Sequence, residues 1–134
     1  MATPRSAAAR VRVRYADTDQ MGVAYYANYL TWFEVGRTEL LRTLGWSYRE
    51  MEAAGVALPV LEAACRYIRP AHYDDELDIR TTGTLISPVR LAFDYDVVRA
   101  ATGETLATGR TLHAGVNAQG RPCRLPERVR SLFA

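Results

Sequence analysis

The sequence predicts an α+β fold in which an antiparallel sheet curls around one long helix. Three features lead there: a strand-like run, then a single long segment, Asn28–Leu44, with apolar residues three and four apart, then four more strand-like runs. A long helix with a wide apolar face must bury that face. The only partner surface this chain supplies is a sheet.

Taken in order, Val11, Val13 and Tyr15 alternate with Arg12, Arg14 and Ala16, the period of a half-buried strand. Residues 1–9 before it are expected to be flexible. Asp17–Gly22 breaks the alternation with turn-forming residues. Leu30, Phe33, Arg37, Leu40, Leu41 and Leu44 then share one face of the long helix, with Asn28 as its expected N-cap and Gly45 as its stop. Ser47–Ala54 reads as a second, short helix, with Ser47 and Glu50 spaced as a capping box and Gly55 ending it. Val56–Arg69, Leu77–Leu85, Leu91–Val98 and Thr105–Val116 read as strands, separated by turns at Pro70–Asp75, Ser87–Pro88 and Ala101–Gly103. Pro126–Phe133 suits a last helical turn or two. Residues 1–134 are expected to form one domain, and the unpaired edges of so small a sheet invite a second copy.

Composition narrows the function. The 134 residues suffice for a core without disulfides. A net charge of +2 gives no support to a nucleic-acid binder, and all 17 basic residues are arginines. Arginine keeps its charge and forks onto phosphates, so an anionic ligand would meet suitable donors. Cys65 and Cys123 form neither a zinc nor a redox motif. With no signal-peptide core and no apolar run of membrane length, a soluble cytoplasmic protein is expected.

The stretch YADTDQMGVAYYANY, Tyr15–Tyr29, sets two acids, Asp17 and Asp19, beside a glycine and a cluster of tyrosines. A calcium loop would need oxygen ligands where this chain has Met21 and a bidentate carboxylate where it has Asn28. That reading fails. Turn closure suits Asp17, since aspartates bond nearby backbone N–H groups in many turns. Asp19 has another possibility. Gly22 lets the chain turn sharply, and the unsatisfied amides at the helix start, around Tyr26 and Ala27, can hold a carbonyl oxygen as it becomes an oxyanion. A carboxylate opposite them could direct water at that carbonyl or attack it directly.

The segment VRVRYADTDQMGVAYYANYLTWFEVGRTELLRTLG resembles the opening of the hotdog-fold acyl-CoA thioesterases of the 4-hydroxybenzoyl-CoA thioesterase and YbgC type. The resemblance continues through RYIRPAHYDDELDI, Arg66–Ile79, and LATGRTLHA, Leu106–Ala114. It implies a sheet wrapped around a long helix, hydrolysis of an acyl-CoA or acyl carrier protein thioester, and no metal or redox cofactor. Coenzyme A would enter only as part of the substrate. It also implies that Asp19 is the catalytic acid and that the Tyr26 backbone N–H is the oxyanion donor. Many relatives carry His where this chain has Tyr26. Gly22, Val23, Ala27 and Asn28 are expected to border the substrate. Arg90 is a candidate for a coenzyme A phosphate, with a solvated arginine as its bland reading. Homodimers, often paired into tetramers, with active sites between subunits, complete the expectation.

Other candidates are weaker. Glu62 is read as structural or solvent-facing, and His72 and His113 as structural, since neither pairs with an acid in the spacing a hotdog dehydratase uses. Tyr25, Tyr26, Tyr29 and Trp32 could line an acyl pocket or belong to the core. A non-catalytic acyl-binding module is the rival from another class.

Overall fold

The computed structural model describes residues 5–134. Five strands form one antiparallel sheet: β1 (Arg5–Arg12), β2 (Val60–Tyr67), β3 (Glu76–Leu85), β4 (Arg90–Arg99) and β5 (Thr105–Ala114), in the order β1-β3-β4-β5-β2. The helices are α1 (Asn28–Thr43), α2 (Tyr48–Ala53) and α3 (Glu127–Phe133). The layer arrangement agrees with the sequence reading.

α1 lies along the inner face of the sheet. Its buried residues, Tyr29, Trp32, Phe33, Gly36, Arg37, Leu40 and Leu41, recur at helical spacing. They meet Leu77, Ile79, Leu91, Phe93, Tyr95 and Val97, the alternate residues of β3 and β4 that point inward. Two glycines let the layers approach. A Cβ on Gly36 would press against Ile79 and Thr81, and one on Gly109 against Phe33, whose ring stacks on Tyr95 at 4.2 Å. Gly45 ends the helix at φ +82°, as a C-terminal glycine should. Ser47 caps α2 through the Glu50 N–H at 3.3 Å.

The core also holds a directed chain of polar groups. Arg37, on the buried face of α1, donates to the hydroxyls of Tyr48 at 3.2 Å and Tyr95 at 3.5 Å. Tyr95 meets Thr111 at 2.6 Å, and Thr111 meets His113 Nε2 at 2.8 Å. His113 Nδ1 lies 3.1 Å from the Leu58 carbonyl. A carbonyl only accepts, so Nδ1 carries the proton and Nε2 accepts from Thr111. Burial, assisted by the charge of Arg37 and opposed by the Leu58 bond, lowers the His113 pKa to about 4. The structural reading of His113 fits this placement.

Three expectations need correction. The first strand is Arg5–Arg12, not Val11–Ala16, and residues 5–9 are part of it rather than flexible; residues 1–4 lie outside the described residues. Ala7–Ala9 carry little strand propensity, but they pair with Ile79–Thr81 of β3, and pairing fixes the strand. The run Val56–Arg69 shrinks to β2 because Pro59 and Pro70, which lack an N–H, bracket it. Asn28 is not the N-cap of α1. That position is Ala27, with no side-chain cap, because the Asn28 amide instead donates to the Asp17 carbonyl at 2.7 Å.

Candidate active site

The two aspartates have separate jobs. Asp17 is buried at the end of a single 3-10 turn, Tyr15–Asp17. Its carboxylate accepts from the Arg14 N–H at 2.9 Å, from Arg14 Nε at 3.3 Å and from a terminal guanidinium nitrogen of Arg14 at 2.9 Å. Burial pushes its pKa up, but the side chain and amide of Arg14 outweigh that and hold it below the usual carboxylate value. Its carbonyl takes the Tyr25 N–H at 2.8 Å as well as the Asn28 amide. Asp17 therefore clamps the chain on both sides of the turn. It does not line the cleft described below.

Asp19 sits in the tight turn that follows. Its N–H bonds the Val23 carbonyl at 3.0 Å, its carbonyl takes the Gly22 N–H at 3.0 Å, and Gly22 adopts φ +79°. One carboxylate oxygen, Oδ1, accepts the Met21 N–H at 2.9 Å, which fixes the side chain. The other oxygen has no partner among the described residues. The turn is itself anchored: Val23 pairs with His72, and the Ala24 N–H bonds Ala71 at 2.8 Å.

A cleft of about 290 Å³ opens here, lined by Asp19, Met21, Val23, Ala24, Tyr26, Tyr29 and the segment Tyr67–Pro70. Asp19 is on one wall and the start of α1 on another. Among the described residues neither the Tyr26 N–H nor the Ala27 N–H has an acceptor. These amides sit at the positive end of a sixteen-residue helix. The aromatic candidates divide between roles. Tyr29 and Trp32 are buried, their rings 4.8 Å apart, while Tyr25 and Tyr26 are exposed. Tyr26 and Tyr29 line the cleft.

The opposite wall escaped the sequence reading. Tyr67, at the end of β2, places its ring edge-on to Tyr29 at 4.9 Å, and its hydroxyl donates to the Tyr26 carbonyl at 2.8 Å. Burial first, then the adjoining Cys65 thiol, pushes the Tyr67 hydroxyl up to about 12. Arg99 holds the rest of this wall. It reaches Asp75 at 3.2 Å, the Pro70 carbonyl at 3.0 Å, and Glu104, which also pairs with Arg69 at 2.9 Å. Asp75 in turn accepts the His72 N–H at 2.9 Å. The one signal for this wall in the sequence was the stretch RYIRPAHYDD, quoted above only as a resemblance.

Of the expected substrate-bordering residues, Val23 lines the cleft, Gly22 shapes the turn beside it, and Ala27, whose N–H has no acceptor among the described residues, is not part of the lining. Asn28 is turned away, onto Asp17. Arg90 is elsewhere. It begins β4, whereas Arg99, which grips the cleft wall, ends it; ten residues of strand separate them by roughly 30 Å. Arg90 does not reach the cleft of its own chain. Glu62 is exposed on β2, as expected, and His72 serves the turn through its backbone.

A sheet wrapped on one helix thus sets a carboxylate, Asp19, and an acceptor-free helix-start residue, Tyr26, along one cleft, an arrangement with the parts that acyl transfer needs. The family profile described as the thioesterase-like superfamily matches residues 13–133, and the chain belongs to that family. Among its relatives, the acyl-CoA thioesterase YbgC of Haemophilus influenzae is 32% identical over 124 residues, 92% of this chain and 90% of that one. The acyl-CoA thioester hydrolase YbgC of Escherichia coli O157:H7 is 40% identical over 90 residues, 67% of each chain. Of solved structures, a 1,4-dihydroxy-2-naphthoyl-CoA thioesterase from Synechocystis superposes with a TM-score of 0.88 at 26% identity, covering 96% of this chain and 95% of that one. The DHNA-CoA thioesterase of Staphylococcus aureus gives 0.84 at 32% identity, covering 89% and 80%. The architecture is the hotdog fold.

Proposed function

We propose that this protein is an acyl-CoA thioesterase whose reacting groups are Asp19 and the backbone N–H of Tyr26. One observation carries the assignment of residues. The unpartnered oxygen of Asp19 and the acceptor-free Tyr26 amide border the same cleft, whereas Asp17 is spent on structure. The thioester carbonyl oxygen accepts from the Tyr26 N–H, and the helix dipole favours the charge that develops there. Two routes use this geometry. In one, Asp19 takes a proton from water as the water oxygen bonds to the carbonyl carbon, and the tetrahedral intermediate then expels the thiolate, which the Asp19 carboxylic acid reprotonates. In the other, Asp19 itself attacks, the thiolate leaves, and water hydrolyses the mixed anhydride. Both end with a free acid and a thiol, and neither needs a metal or redox group. Coenzyme A enters as part of the substrate; a carrier-protein thioester presents the same reacting atoms.

The working unit is a homodimer or a homotetramer. Strand β2 is an edge of the sheet and nearly all of it is exposed; Val60 and Leu61 face solvent, and Val60 shares a surface groove with Leu30 of α1. An exposed apolar edge of this kind favours pairing with another strand. Because Tyr67 belongs to that strand and lines the cleft, a second copy would complete the site. Among the described residues no helix is long and apolar enough to cross a membrane. Two free thiols, Cys65 and Cys123, suit a reducing cytoplasm.

The test is a panel of aliphatic and aromatic acyl-CoAs and acyl carrier proteins, followed by thiol release, with the sedimentation profile recorded alongside. Turnover of at least one thioester by a dimer or tetramer supports the reading. Ligands that bind without turnover would make the protein an acyl-binding module instead.

A further inference from the structure

We infer that Tyr67 is a positioning residue for the oxyanion-binding turn: its hydroxyl holds and polarises the peptide that joins Tyr26 to Ala27. The inference rests on the reading of the cleft given above and extends it to a residue of β2.

The start of α1 is loosely held from within. Its N-cap, Ala27, offers no side-chain acceptor, and Asn28, the nearest capping side chain, is committed to Asp17. The first turn is stretched, with the Tyr29 N–H 3.4 Å from the Tyr26 carbonyl and the Leu30 N–H 3.2 Å from that of Ala27. Against this, the Tyr67 hydroxyl makes a 2.8 Å bond to the Tyr26 carbonyl from the opposite element. It is the shortest contact to that carbonyl. The Tyr67 ring stands nearly perpendicular to those of Tyr26 and Tyr29, at 6.4 and 4.9 Å, so the hydroxyl is aimed by packing on both.

The chemical effect follows from peptide resonance. A donor on the Tyr26 carbonyl draws electron density from the 26–27 amide and makes the Ala27 N–H a stronger donor. It also pins the turn that presents the adjacent Tyr26 N–H to the cleft. Both amides are without acceptors, and the pinned turn keeps the Tyr26 N–H at the cleft, where a substrate oxygen that becomes negative can accept from it. Tyr67 touches no reacting atom in this account. The hydroxyl stays protonated across the working pH range, which keeps it a donor.

Tyr67→Phe removes the hydroxyl and leaves the ring. With an acyl-CoA substrate, kcat is expected to fall about fivefold to tenfold, in line with the loss of one hydrogen bond felt in the transition state. KM should change by less than about twofold, since apolar contacts bind ground and transition states alike. Melting temperature and oligomeric state should match the wild type, which separates the effect from a general loosening. A second readout is independent of turnover: the Ala27 backbone amide resonance in a ¹H–¹⁵N spectrum should move, while those of Leu40 and Leu41 stay in place. Loss of kcat together with a moved Ala27 resonance supports the assignment. A wild-type kcat, or an Ala27 resonance that does not move, overturns it. If the wild type turns over no thioester, the reading of the cleft fails, and the Ala27 resonance alone decides whether Tyr67 holds the peptide.

Discussion

Lowering the pH from 7 to 4 is expected to destabilise the protein through His113, which never touches the cleft. In the folded state the imidazole is fully buried and its pKa falls from 6.5 to about 4. The sign follows from proton counting. Below about pH 6.5 the unfolded chain binds a proton here that the folded chain refuses until about pH 4, so stability is complete above 6.5 and falls as the pH drops toward 4. For that pair of values the loss is about 2 kcal/mol by pH 5 and about 3 kcal/mol by pH 4. Protonation also has a structural meaning. Nε2 would cease to accept from Thr111, and the chain of hydroxyls leading to Arg37 would have to reverse toward a second positive charge. Urea unfolding at pH 7, 6 and 5 measures the loss, with His113→Gln as a variant that cannot titrate at this site. The wild type should lose stability over this range and His113→Gln markedly less. Equal slopes, or a His113 imidazole that titrates near pH 6.5 in the folded protein by NMR, would refute the reasoning.

Gly36→Ala sets helix propensity against packing. Alanine gains about 1 kcal/mol in an isolated helix, but here its Cβ would lie 2.8 Å from Ile79 Cγ2 and closer still to Thr81, both buried on β3. A net loss of about 1–3 kcal/mol is expected by urea unfolding; an unchanged or raised stability would show that α1 can move off the sheet freely. Arg14→Met should destabilise the protein more at pH 7 than at pH 3. The folded Asp17 pKa is held below its unfolded value, so this contribution is full above about pH 4 and disappears as the pH falls through the folded value. A stability gap that is the same at both pH values would mean that Arg14 acts by packing rather than by charge.

Much of the fold was legible because its strongest signals are local. The 3.6-residue period survives as α1 with Phe33, Arg37, Leu40 and Leu41 on its buried face, although Leu30 faces solvent and Leu44 is the C-cap rather than part of the helix; Gly45, Ser47 and Gly55 do at their positions what those residue types do in helices generally. Errors came where a partner from far along the chain decides. β1 is drawn from alanines by its pairing with β3, and Asn28 is taken from the helix start by a carbonyl eleven residues earlier. The acidic half of the cleft could be read from Tyr15–Tyr29 alone. The facing wall, Tyr67–Pro70, is some 40 residues away from Tyr26 and is brought there by the β2–β5 pairing and by Arg99, neither of which leaves a local pattern. Arg90 illustrates the converse: an arginine after a turn looks like a phosphate ligand until the strand that follows carries it to the other end of the sheet.

The assignment of chemistry is tested most directly by the rate of thiol release from a saturating acyl-CoA by Asp19→Asn. Asparagine can still accept the Met21 N–H, so the turn should persist, but it can neither take a proton from water nor act as a nucleophile. The expected result is a folded protein with kcat lowered by at least about a hundredfold to a thousandfold. A variant that releases thiol within about tenfold of the wild-type rate would contradict the account, because the carboxylate bordering the cleft would then have no part in the reaction.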